Sequence, residues 1–257
     1  MWRDMTPDRD PRNVRFHALD GIRGYAALTV IVYHCLLSLD STLWHKYDAL
    51  SILGVSNINE FLSKFALVIF NGDAAVVIFF ILSGFVLSRT LIYDLHRFSV
   101  TSAMQAFMVR RFLRLYPAML ASLIFAISIL MLVFYIFNIP LSEFYFRPRN
   151  FIRNALLIAP EVSGVTWSIL VEFAAIPFIA LFAFFVFRFG APAALLFIGI
   201  ALVIRAVGGF PFNYLKFHLY LICFALGVFL SISQGIRFVS YFSKIKTIYI
   251  LAIFISI

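Results

Sequence analysis

Long uninterrupted apolar stretches dominate the chain, Ala118 to Phe137 and Thr166 to Phe187 being the clearest. Neither shows the apolar–polar alternation over about ten positions that a membrane β-strand needs. Backbone amides in hydrocarbon must be satisfied within a helix or a closed barrel, so continuous runs of this kind read as helices. A span takes about twenty residues. On that rule the sequence predicts membrane helices at about Tyr25–Leu39, Ala74–Ile92, Ala118–Phe137, Val165–Phe187, Pro192–Val207 and Lys216–Ser233, with a further apolar run from Ile245 to Ile257. At about 1.5 Å per residue this last run is short for a span. It is expected either to end inside the membrane or to belong to a chain cut from a longer one. The predicted class is an all-α polytopic transmembrane bundle of about seven spans, with a cytoplasmic tail over residues 1–19 and one integral domain over residues 20–257.

Composition strengthens that picture. The 257 residues are 63% apolar and 13% charged, with a mean hydropathy of +0.99. A soluble domain is roughly 45–50% apolar and about 25% charged, so a water-soluble enzyme is excluded. The first residues, MWRDMTPDRDPRNVRFHAL, are polar and mixed in charge, without the apolar core of a signal peptide. Of the 21 Lys and Arg, about fourteen fall on the side of the N-terminus and about seven on the other, which predicts a cytoplasmic N-terminus. The net charge of +9 therefore reads as this loop bias. No basic face interleaved with aromatics points to nucleic acid. Cys35 and Cys223 fall inside predicted spans, so no disulfide is expected.

The candidate chemistry lies in polar residues within or beside the apolar runs. In the first helix, Arg23 and His34 differ by about 20° around the axis and stand about 16 Å apart along it. Asp20 lies within about 40° of the same stripe. If Arg23 lies near the cytoplasmic interface, His34 falls near the bilayer midplane, where an ionisable side chain is a functional candidate. The plainer alternative is an interhelical hydrogen bond, and a metal ligand is a lesser rival. In the second span, Ser83-Gly84 lets either a ligand or another helix backbone approach closely, and Arg89 closes the run. Arg111 and Arg114 share a helical face beside Arg110, which suits a phosphate-bearing ligand. Such a cluster also anchors to anionic headgroups. Glu172, four positions from Ser168, is the sole acid of its run and must be protonated, paired or facing a wet cavity. Arg205 and His218 read as interfacial residues.

LDGIRGYAAL followed by His34, then FFILSGFVLSR, RRFLRLYP and TWSILVE, resemble in order and spacing the acyltransferase-3 family of integral membrane acyltransferases. The resemblance is good over residues 16–180 and rests on hydropathy beyond them. By position, Arg23 and His34 match that family's Arg and His pair, Ser83, Gly84 and Arg89 its second-span signature, Arg111 and Arg114 its Arg-x-x-Arg loop, and Glu172 the acid of its Trp-Ser segment. Met119 departs from the pattern, standing where an aromatic is common. The family also has more spans, about ten, so the chain reads as C-terminally short. The resemblance implies transfer of an acyl group, usually acetyl, from acetyl-CoA or another acyl-CoA to a hydroxyl of a carbohydrate, lipid-linked sugar or related extracytoplasmic acceptor. It also implies a multi-pass protein of a bacterial inner (plasma) membrane, with the acyl-CoA a co-substrate and neither a tightly bound cofactor nor a metal.

On that basis His34 is expected to be the general base, oriented by Asp20 or Glu172, with Arg23 and Arg89 guiding the donor or stabilising negative charge. Arg110, Arg111 and Arg114, with Ser83 and Gly84, are expected on the donor side. Trp44, Tyr47, Phe144 and Tyr145 could stack on a sugar or form an interfacial belt. The rival class is a transporter or flippase using His34 and Glu172 as a proton relay.

Overall fold

A computed structural model describes residues 17–39, 57–137, 147–156, 158, 166–207, 217–235 and 237. Among these residues there are eight helices and no strand: α1 (His17–Leu39), α2 (Ile58–Ile69), α3 (Gly72–Arg97), α4 (Val100–Phe137), α5 (Pro148–Ala155), α6 (Thr166–Phe189), α7 (Ala191–Val207) and α8 (Phe217–Leu230). Three stretches are long and apolar enough to cross a membrane, namely Ile58–Arg97, Val100–Phe137 and Trp167–Phe189; Ala191–Val207 and Phe217–Leu230 are shorter apolar helices. The run from Ile245 and the four loop aromatics lie outside the described residues.

Six of the predicted spans coincide with helices, and the differences have local causes. α3 begins at Gly72 because the side chain of Asn71 accepts a hydrogen bond from the Ala74 amide at 2.9 Å, satisfying one of the free donors of a helix N-terminus. It runs past Ile92 to Arg97, since the polar segment beyond hydrocarbon still has no helix breaker. α4 likewise starts at Val100 rather than Ala118, carrying the whole arginine cluster on one helix with Pro117 inside it. Only Phe98 and Ser99 separate α3 from α4, and Ser99 Oγ accepts from the Ser102 amide at 3.3 Å. α2 and α5 were not expected. At 12 and 8 residues they are too short for the length rule that found the others.

The centre of the bundle is α3, α6 and α8, with α7 against α6 and α8, α1 against α3, and α4 against α6 and α3. Gly84 of α3 and Gly227 of α8 permit direct backbone contact. A Cβ on Gly84 would lie 2.5 Å from the Phe224 carbonyl oxygen, and one on Gly227 would lie 2.2 Å from that of Ile81. Small residues of this kind let membrane helices approach closely. Around that contact Phe80, Phe217, Leu221 and Phe224 are buried together, and Phe80 packs on Phe224 at 4.9 Å. α6 and α7 are joined by Gly190 alone, at φ 69°, a left-handed conformation that glycine adopts without strain.

Candidate active site

Three helices meet at one polar cluster. Ser83 of α3 donates through Oγ to Glu172 Oε1 of α6 at 3.0 Å. Arg111 of α4 approaches the same carboxylate oxygen at 3.9 Å, the two side chains being 12% and 20% exposed. Arg23 and Arg114 both lie close enough for their charges to be felt at Arg111. Arg111 therefore stands between one carboxylate and two further guanidinium groups, with positive charge in excess around it. Glu172 is thus paired, one of the three conditions under which an acid is tolerated in an apolar run.

Neighbouring arginines have divided roles. Arg110 Nη2 donates to Asp94 Oδ2 of α3 at 2.5 Å, with the Asp94 side chain 2% exposed and that of Arg110 46%. Arg111 turns to Glu172 instead, as the step of about 100° between consecutive helical residues requires. Arg114 is exposed and forms no ion pair with a carboxylate among the described residues. Arg89 is part-buried and lies 5.8 Å over the Phe85 ring. The close approach anticipated at Gly84 is filled by a helix backbone, that of Phe224.

On α1 the expected residues are spread out. The helix is unbroken from His17 to Leu39, so Asp20 and His34 stand about 21 Å apart along its axis. Asp20 therefore cannot orient the His34 imidazole by contact. It sits exposed in the first turn, where a negative charge suits the helix dipole. His34 is exposed, with its ring edge-on to Tyr33 at 5.8 Å. Tyr33 in turn packs on Gly72 of α3, where a Cβ would come within 2.5 Å of its ring. Cys35 and Cys223 are free thiols.

Sequence reasoning missed Asp94, because it follows the point where hydropathy ends the second span and reads as a solvated loop acid. Its one legible signal was an acid facing a basic segment across a very short connection. The buried Ser88 is satisfied locally: its Oγ donates to the carbonyls of Gly84 and Phe85 at 2.7 and 3.1 Å.

An all-α membrane bundle whose interior joins a carboxylate, a hydroxyl and a guanidinium group, with further arginines beside them, is the class that fold and site define. Residues 16–257 match the acyltransferase-3 family model, described as an acyltransferase domain. The chain belongs to that family and is a membrane acyltransferase. No curated protein and no solved structure matches it.

Proposed function

We propose that the protein moves an acetyl or other short acyl group from an acyl-CoA on the cytoplasmic side to a hydroxyl of a carbohydrate or related extracytoplasmic acceptor. The observation that carries this reading is the Ser83–Glu172–Arg111 cluster, with exposed Arg114 three positions further along α4. Guanidinium groups offer donor forks to the phosphates of coenzyme A. Arg114 and the exposed side of Arg110 make the first contacts, and Arg23 and Arg89 hold negative charge further in. About 16 Å of α1 separates Arg23 from His34, a distance that the long thin pantetheine arm can bridge between helices.

In the transfer, neutral His34 accepts the acceptor's hydroxyl proton as that oxygen attacks the thioester carbonyl. The C–S bond then breaks, the acyl group stays on the acceptor oxygen, and the coenzyme A sulfur leaves with the proton that His34 returns. Positive charge near the carbonyl lowers the cost of the developing oxyanion. The working location is a bacterial plasma membrane with the N-terminus in the cytoplasm.

The test supplies acetyl-CoA carrying a labelled acetyl group to membranes holding the wild-type chain or His34→Ala. Label should move to an acceptor in the wild type and fall by about 10²–10⁴-fold in the variant, at equal amounts of membrane-inserted protein. Label that stays on the coenzyme in the wild type would favour transport, and undiminished transfer by His34→Ala would remove the base.

A further inference from the structure

Asp94 is a nearly fully buried carboxylate that the mechanism above does not use. Burial of an ion pair is weak evidence for stability, because desolvation offsets much of the attraction. The use of this one is better sought in what it holds in place. Asp94 lies near the C-terminal end of α3, and its partner Arg110 lies eleven positions after the tight connection at Phe98–Ser99. On α4, Ala103, Phe107 and Arg110 share one stripe; Ala103 and Phe107 are buried, so Arg110 continues the buried stripe as a charge that Asp94 receives. Beyond that stripe Met119 and Leu123 are the buried positions of α4, and only 6% of its most apolar window is buried. Packing therefore resists rotation of this helix at few points, and the ion pairs of its polar end add to it.

We propose that Asp94 is a positioning residue of the donor site: by holding Arg110 it fixes the rotation of α4, and that rotation turns Arg111 to Glu172 and leaves Arg114 exposed for a phosphate-bearing ligand. Two adjacent arginines are pinned by carboxylates from two different helices, α3 and α6. A helix held at two points about 100° apart around its axis cannot turn without breaking one of them. The identity of the ligand as an acyl-CoA rests on the function proposed above; the setting of α4 does not.

The experiment uses the full chain in membranes, with two readouts. In the first, acyl transfer is measured over a range of acetyl-CoA concentrations for wild type, Asp94→Asn, Asp94→Glu and the double variant Asp94→Asn/Arg110→Gln. Asp94→Asn should raise KM for acetyl-CoA about tenfold, with kcat within about twofold, as expected for loss of one charged hydrogen bond that acts through binding. Asp94→Glu should recover most of that loss. The double variant leaves no charge buried alone, so it folds even if the single variant does not, and because it also removes Arg110 its KM should be raised at least as far. A wild-type KM in the double variant overturns the proposal. So does a fall in kcat at unchanged KM.

The second readout needs no substrate. In a Cys35→Ser background, Arg114→Cys is labelled with a membrane-impermeant maleimide on inverted vesicles, with Asp94 intact or replaced by Asn. The labelling rate should change several-fold on loss of Asp94, and an unchanged rate overturns the proposal. If the wild type transfers no acetyl group while the labelling rate depends on Asp94, the functional reading fails and the positioning role stands.

Discussion

α6 and α4 are both long apolar helices, yet half of the most apolar window of α6 is buried inside the bundle against 6% for α4. α6 lies among α3, α7 and α8 and is held by side-chain packing, with Val171, Ala175, Ile179 and Ala183 fully buried. α4 lies at the rim, where its ties to the centre include Arg110–Asp94 and Arg111–Glu172. Packing thus holds the helix that carries the acid, while the helix that carries the arginines has fewer buried side chains, Ala103, Phe107, Met119 and Leu123, and adds ion pairs to them. The division leaves Arg114 exposed on the rim helix while Arg111 on the same helix still meets the central carboxylate.

The largest effect is expected from breaking the packed side. Gly227→Val would drive its side chain into the Ile81 carbonyl and the Phe85 amide of α3, a backbone clash that no rotamer relieves. Overpacking of this kind costs about 3 kcal/mol or more, so the yield of monodisperse protein from mild detergent should collapse. A wild-type yield would show that the α3–α8 contact does not hold the centre.

Next comes the joint between the two regions. Glu172→Gln keeps an acceptor for Ser83 but removes the charge facing Arg111. Transfer activity should fall about tenfold or more, while the melting temperature in detergent moves by no more than a few degrees. A large drop in melting temperature would instead assign Glu172 to the packed side.

The charged rim should respond in binding rather than in folding. Arg114→Ala is expected to raise KM for acyl-CoA about tenfold without altering yield or melting temperature, because the side chain is exposed. An unchanged KM would remove Arg114 from the donor site. The smallest effect belongs to α2, none of whose residues is buried. Phe65→Ser, at a position 46% exposed, should change stability by less than about 0.5 kcal/mol; a clear loss on thermal unfolding would show that α2 is tied to the bundle.

Most of the helices were legible because hydrocarbon permits so few alternatives: an apolar run of about twenty residues has to be a helix. Boundaries were less legible where a helix leaves the membrane. Hydropathy marks the extent of the hydrocarbon, whereas α3 and α4 continue through polar residues that have no reason to stop being helical. α2 and α5 fell below the length that the same rule requires. For the site, Glu172 stood out as an acid in an apolar run, and Arg111 and Arg114 as neighbours on one face. Periodicity could not say which arginine faces which acid, because that depends on how α4 is rotated against α3 and α6.

By itself the sequence determined the membrane environment, the helical class, the family, and the set of polar residues that need an explanation. Each of these follows from solvent physics or local order along one segment. The tertiary structure decided the partners. Ser83 and Glu172 lie 89 positions apart and meet because two glycines let α8 come up against α3, and α6 packs on both. It also decided that Asp20 stands too far along α1 to reach His34, and that Gly84 serves helix contact. It gave Asp94 a place beside the site, since the burial of a carboxylate depends on the helices that pack around it.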